Sequence, residues 1–490
     1  MKTMSFDHLT CSTRFLQLGD DFYSAVTASP LKQPYWVHIN HQLAKVIGLN
    51  ESSWQQQSSL DIFSGRTPFP KQPSVAMVYA GHQFGGYSPQ LGDGRALLIA
   101  QIDTTDGTVD LQLKGAGKTP YSRFGDGRAV LRSSIREYLG GEAMHHLGIA
   151  TTRALCIVGS EEPVLREQME TGAIVTRVAK THIRFGHFEY FHYNKQFEQV
   201  KQLADYVIEQ FLPAAVNSTD KYEQLLQYTV SNTAVLIAHW QSVGFAHGVM
   251  NTDNMSIIGE TLDYGPYGFL DDYEPGFICN HSDHTGRYAF DEQPSIGLWN
   301  LNALAHALSS LIDTASIQQI LKGYETILVS TFAQLMRNKL GLENTETSDQ
   351  ILCSSLLSLM AQDKVDYTLF FRKLCEFKTQ GEENNPILTE LFSQKEKFKD
   401  WCDQYCARLK QEQSNDAERQ SRMKKVNPKY IARNYLLQRA IEKAQREKDF
   451  EEINILFNLL QSPFDEHYDY EEYANPPPTW GKHLEISCSS

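Results

Sequence analysis

Residues 246–259 read AHGVMNTDNMSIIG and directly follow YEQLLQYTVSNTAVLIAHWQSVG (222–244), whose apolar spacing predicts a long helix. Within this stretch His247 and Asn254 stand seven residues apart, and Asp263-Tyr264-Gly265 begins nine residues after Asn254. An amide oxygen and a carboxylate oxygen are hard ligands of the kind Mg²⁺ prefers, and they leave coordination positions for phosphate and water. The position two after His247 is Val249, which cannot accept a proton; the nearest carboxylate to Asn254 is its neighbour Asp253.

Residues 81–179 hold matching parts. RALLIAQI (95–102), TVDLQLK (108–114), TRALCIV (152–158) and GAIVTRVA (172–179) predict strands from their β-branched and apolar content. AVLRSSIREYLGGEAMHHLG (129–148) predicts one helix between them. Lys114 ends a strand and Glu137 lies in the helix that follows. Upstream, GHQFGGYSPQLGDGRAL carries glycines at 81, 85, 86, 92 and 94, which would let backbone N–H groups cradle phosphate oxygens. Taken singly, each feature has an ordinary reading: a glycine turn, a surface ion pair, an Asp-Tyr-Gly turn. Their order is what carries weight. Gly-rich loop, strand lysine, helical glutamate, His…Asn loop and Asp-x-Gly follow the protein-kinase sequence, with Val249 in place of the usual catalytic aspartate.

Other motifs fail on spacing. LKGAGKTP imitates a P-loop, but the required glycine five before Gly117 is Gln112. GDGRAL (92–97) and GDGRAV (125–130) lack the third glycine of a dinucleotide fingerprint. His182, His187 and His192 recur every five residues, which neither a helix face nor a strand face collects, so packing or surface roles are expected. CNHSDH (279–284) reads as a polar loop rather than a metal site.

The chain has 490 residues, of which 41% are hydrophobic and 21% charged, enough for large cores. Lys plus Arg number 45 against 59 acids, a formal charge of −14, which argues against nucleic acid as the main partner. No apolar run reaches the roughly 18 residues of a membrane span, and MKTMSFDHLTCSTRF lacks a signal-peptide core, so a cytoplasmic protein is expected. The eight cysteines are dispersed and form no CxxC pair, which argues against a disulfide scaffold or structural zinc. The acidic, Pro-rich stretch 463–480 is expected to be loosely ordered, and RQSRMKKVNPKYIARNYLLQR (419–439) to be a helix on the helical half.

YAGHQFGGYSPQLGDGRA, LQLKGAGKTPYSRFGDGRAVLRSSIREYL, FAHGVMNTDNMSI and NPKYIARNYLL (427–437) together resemble the selenoprotein O family, the pseudokinases also called YdiU proteins, over essentially the whole chain. The resemblance implies an α+β, protein-kinase-like two-lobed fold. Its divisions would be an N-terminal extension (1–75), a β-rich nucleotide-binding lobe with one helix (76–190), a helical lobe with the catalytic loop and metal site (191–345), and a helical extension and tail (346–490). It also implies transfer of AMP from ATP to Ser, Thr or Tyr hydroxyls of proteins with release of pyrophosphate, the nucleotide being flipped relative to a kinase. By this resemblance Gly92, Gly94, Arg95, Lys114, Asp126, Gly127, Arg177, Arg184 and Asp263 contact ATP, Glu137 positions Lys114, Asn254 and Asp263 hold Mg²⁺ or Mn²⁺, and Asp253 accepts the proton. Many members carry selenocysteine or cysteine near the C-terminus, so a regulatory disulfide between Cys279 and Cys488 is one reading and a surface thiol the other.

The sequence leaves open UMP transfer from UTP, γ-phosphate transfer with Asp253 as base, and a non-catalytic ATP-binding scaffold. It does not name the protein targets or the preferred metal. A monomer with no membrane or nucleic-acid partner is expected.

Overall fold

The computed structural model describes residues 6, 9–49, 51–379, 385–482 and 484–486. It is a mixed α/β structure whose first part is organised by a nine-stranded sheet and whose second part is helical. In chain order the strands are β1 (Cys11–Ser12), β2 (Tyr23–Ala25), β3 (Tyr35–Ile39), β4 (Val75–Met77), β5 (Gly81–Gln83), β6 (Gly86–Ser88), β7 (Ala96–Thr104), β8 (Gly107–Lys114), β9 (Ala129–Val130), β10 (Arg153–Leu165) and β11 (Met169–Ala179). The main path is β2-β4-β7-β8-β11-β10-β3, with β1 on β7 and β9 on β11, while β5 and β6 form a separate hairpin. All these pairings are antiparallel.

The four strands predicted from composition appear as β7, β8, β10 and β11, and the predicted helix spans Leu131–His146. Strands β1, β2 and β3 were not legible in the first 75 residues because each is short and takes its definition from sheet partners far along the chain, such as Tyr35 opposite Gly159.

The helix Leu131–His146 is buried on nearly every face from Leu131 to Met144, so it runs through the core instead of showing one apolar stripe. The long helix Lys221–Val243 leads directly to the 246–259 loop, as its spacing predicts. Two expectations are corrected. The basic stretch 419–439 is two helices, Asp416–Lys424 and Asn434–Glu447, with irregular chain between. Pro428 disfavours helical geometry at Asn427 and removes a backbone donor. The 463–480 stretch is docked: Glu466 bonds Arg372, Lys424 and Lys429, and buried Tyr473 donates its hydroxyl to Glu452. Its acids had read as disorder because their cationic partners lie at least 37 residues away. Among the described residues no helix is long and apolar enough to cross a membrane.

Candidate active site

Lys114 ends β8 and pairs with Val175 of β11, while Arg177 faces Gln112, so Lys114, Gln112 and Arg177 share one sheet face. Glu137 meets them from the buried helix. Its carboxylate accepts from Lys114 Nζ at 2.7 Å and from Arg177 Nε. Asp263 completes the cluster, with Oδ1 at 3.0 Å from Lys114 Nζ and 2.6 Å from Arg177 Nη2, and Oδ2 at 3.4 Å from Arg184 Nη1. The side chains of Arg177 and Arg184 are only 4% and 3% exposed, which excludes a solvent-facing pair. Burial pushes the Asp263 carboxyl up, but Lys114, Arg177 and Arg184 outweigh it and hold the carboxyl well below its usual range.

Lys114, Arg177, Arg184 and Asp263 line a cavity of about 520 Å³ that also includes Gly92, Gly94, Arg95, Asp126, Gly127 and Asp253. Both GDG turns are therefore at its wall. Gly92 has φ +64, and a Cβ there would lie 2.4 Å from the Tyr121 ring, so this turn excludes other residues. Buried Asp93 fixes the same turn by accepting from Met77 N at 3.0 Å and from the Tyr79 hydroxyl at 3.3 Å. Asp126 is clamped by Arg166 at 2.7 and 3.0 Å.

Across the cavity, the 246–259 loop is held by its own backbone. His247 Nε2 lies 2.8 Å from the Leu262 carbonyl, next to Asp263, and Asn254 Nδ2 donates to the Val249 carbonyl at 3.0 Å. Position 249 thus contributes a carbonyl. Asn254 Oδ1 and Asp263 Oδ2 each lie 3.4 Å from Arg184 Nη1. Two hard oxygens converging on one cationic group fit a divalent-metal site completed by phosphate and water. Among the described residues no group of three or more His, Cys, Asp or Glu could hold a metal. His182 and His187 are buried in packing roles, bonded to Asp110 and to the Arg184 backbone N–H.

Burial pushes the Asp253 carboxyl up to about 7, with Arg184 opposing. Oδ2 accepts from Gln83 Nε2 at 3.3 Å, and Oδ1 is buried without a hydrogen-bond partner among the described residues. Gln83 belongs to the β5–β6 hairpin, and here the phosphate-cradle expectation for Gly81, Gly85 and Gly86 is corrected. The hairpin lies on the 251–253 loop: Phe84 N donates to Asn251 Oδ1 at 3.3 Å and His82 N to Thr252 Oγ1 at 2.7 Å. A Cβ on Gly81 would come within 3.0 Å of Asp253, so glycine permits this approach. Gln83 carried no local signal because its partner is 170 residues away.

Cys279 is buried, with Sγ 3.5 Å from the Ala246 carbonyl, and the nearby His281 N–H donates to the Ile486 carbonyl at 2.8 Å. Cys488 lies outside the described residues.

A deep cleft with clustered cations, one convergent Asn–Asp pair and a raised carboxyl beside it has the chemistry of a polyphosphate-handling site. The chain belongs to the protein adenylyltransferase SelO family, whose model matches residues 5–461. It is 53% identical over 486 residues to the protein nucleotidyltransferase YdiU of Aliivibrio salmonicida, covering 99% of each chain. Against the protein of the same name from Myxococcus xanthus it is 50% identical, covering 99% of this chain and 100% of the relative. With that of Vibrio cholerae it shares 51% identity over 98% of both chains.

Proposed function

We propose that the protein transfers AMP from ATP to Ser, Thr or Tyr hydroxyls of other proteins. The acceptor oxygen attacks the α-phosphorus, the bond to the bridging oxygen breaks, pyrophosphate leaves, and the hydroxyl proton passes to Asp253. The observation that carries this reading is the convergence of Lys114, Arg177 and Arg184 on Asp263 at the cavity wall. So many buried cations around one carboxylate suit the most highly charged end of a triphosphate, as a nucleotide flipped relative to a kinase would present. Gly92, Gly94, Arg95, Asp126 and Gly127 would hold the rest of the nucleotide, with Glu137 positioning Lys114. Asn254 and Asp263 would hold Mg²⁺ or Mn²⁺, which when bound neutralises phosphate oxygens.

The same reading takes residues 76–190 and 191–345 as the two lobes of a kinase-like fold, flanked by extensions at 1–75 and 346–490, in a cytoplasmic monomer. It includes a regulatory disulfide between Cys279 and Cys488, supported by the His281–Ile486 bond and by Cys279 Sγ abutting the catalytic loop at Gly248. Non-reducing peptide mapping of oxidised protein should recover a 279–488 linked pair, and its absence removes the switch.

The deciding assay supplies ATP labelled at the α- or the γ-phosphate, with a protein acceptor mixture and Mg²⁺ or Mn²⁺. Label entering protein only from the α position is the expected result; entry only from γ makes the protein a kinase, and none from either makes it a scaffold. UTP labelled at its α-phosphate tests the other donor. Asp253→Ala should lower transfer by about 100-fold or more while keeping ATP affinity. Asp263→Ala should lose metal-dependent ATP binding as well. Unaltered activity in both variants overturns the assignment.

A further inference from the structure

A continuous strip of aromatic rings begins where the catalytic loop ends. Phe84, at the tip of the β5–β6 hairpin, lies 5.1 Å from the Tyr288 ring, whose hydroxyl bonds Asn251. The neighbouring Arg287 guanidinium stacks over Trp299 at 4.8 Å. Trp299 meets His82 at 5.2 Å, His82 meets Tyr87 at 5.2 Å, and Tyr87 meets Tyr193 at 4.3 Å. The two ends of the strip are exposed, Phe84 by 46% and Tyr193 by 41%, while His82, Tyr87 and Trp299 are half-buried and Tyr288 is buried beneath Phe84. Large aromatic rings exposed at both ends of a partly buried aromatic row are a feature of interaction surfaces.

The hairpin joins this strip to the reaction site. His82 and Phe84 turn to the aromatic strip, while Gln83 between them turns to Asp253 and the cavity. A polypeptide lying on the strip therefore brings its hydroxyl side chains within reach of the Asp253 end of the cleft.

Arg287 states what that polypeptide should carry. Its backbone N–H and that of Tyr288 donate to the Asp283 carboxylate at 3.0 and 2.7 Å, which fixes the turn. Its guanidinium forms no ion pair among the described residues, and its buried Nε has no hydrogen-bond acceptor among them. In a chain with 59 acids against 45 Lys and Arg, a guanidinium held on a tryptophan face with no carboxylate is pre-oriented for an incoming anion.

We propose that this strip is the docking surface for the acceptor protein, and that Arg287 selects acceptors with an Asp or Glu side chain near the target hydroxyl. The proposal rests on the protein-modifying reading above, which leaves acceptor choice unspecified.

The test uses the full chain and two fluorescein-labelled peptides that share one Tyr and differ only in having Glu or Lys at the flanking positions. Binding is read by fluorescence anisotropy, and transfer separately with ATP labelled at the α-phosphate. The Glu peptide should bind about tenfold more tightly than the Lys peptide, a preference that weakens with added salt. Arg287→Glu should reverse the preference and Phe84→Ala should weaken binding of both peptides, with ATP affinity unchanged in each variant. Equal binding of the two peptides, no binding of either, or a preference that survives Arg287→Glu overturns the proposal. A preference that reverses as expected without transfer from either nucleotide position would leave the docking surface standing and remove the adenylylation reading.

Discussion

Gln83 and Asp253 show how much of the site is decided by single side chains. A neutral amide donating to a carboxylate holds one oxygen in place, and a charge-assisted bond of this kind contributes roughly 1.5–3 kcal/mol. Gln83→Met keeps the length of the side chain and removes the donor. It should lower kcat for AMP transfer by about tenfold with ATP affinity unchanged. In an Asp253→Ala background the same substitution should have no further effect, and additive losses in the double variant would show that Gln83 acts elsewhere. Asp253, Asn254, Lys114 and Asp263 were legible because their spacing is local or family-specific. Gln83 was not, since nothing in GHQFGG marks which residue faces the loop.

At the scale of elements, the buried helix Leu131–His146 is anchored at several points. Glu137 holds the cavity-lining Lys114 and Arg177, Arg136 donates to the Tyr267 carbonyl at 2.6 Å and to Asn434 Oδ1, and Glu142 takes a bidentate pair from Arg153 of β10 at 2.8 and 2.7 Å. Burial raises the Glu142 carboxyl, but the Arg153 hydrogen bonds, with the His146 ring 3.6 Å away, outweigh it and hold it at about 2. The folded value lies below the unfolded one, so this group adds stability above pH 4.5 that is lost as pH falls toward 2. The contribution at neutral pH is about 3 kcal/mol from the size of the shift. Chemical denaturation across pH 2–7 should show this acid limb, and Glu142→Gln should flatten it while lowering stability at pH 7. An unchanged slope in the variant would place the acid sensitivity elsewhere. The helix itself was readable from its apolar spacing, whereas its near-total burial was not, because burial depends on what is packed around it.

At the scale of the whole molecule, the C-terminal helices return to the sheet. Phe457 packs against His38 of β3 and Tyr138 of the buried helix. Arg433, fully buried, spans Asp366 at 2.9 and 3.0 Å and Asp271 just beyond the Asp-Tyr-Gly turn. It joins the late NPKYIARNYLL stretch to the segment that follows the Asp-Tyr-Gly turn. Arg433→Leu leaves the buried Asp366 carboxylate and the half-buried Asp271 carboxylate without their cation and should cost about 3–5 kcal/mol in denaturant titration. A loss below about 1 kcal/mol would mean that the pair is relieved by solvent or protonation.

The sequence by itself determined the sheet-then-helix order, the main strands and the long helices, since periodicity and turn chemistry act over a few residues. Together with the long family-specific stretches, it also named the cavity residues from Gly92 to Asp263. Tertiary structure alone decided that the Gly81–Ser88 hairpin lies on the 251–253 loop, that short early strands enter the sheet, that the acidic tail is docked, and that Arg287 forms no ion pair among the described residues. Each of these depends on partners dozens to hundreds of residues away, and no local pattern of side chains encodes which distant group will close the contact.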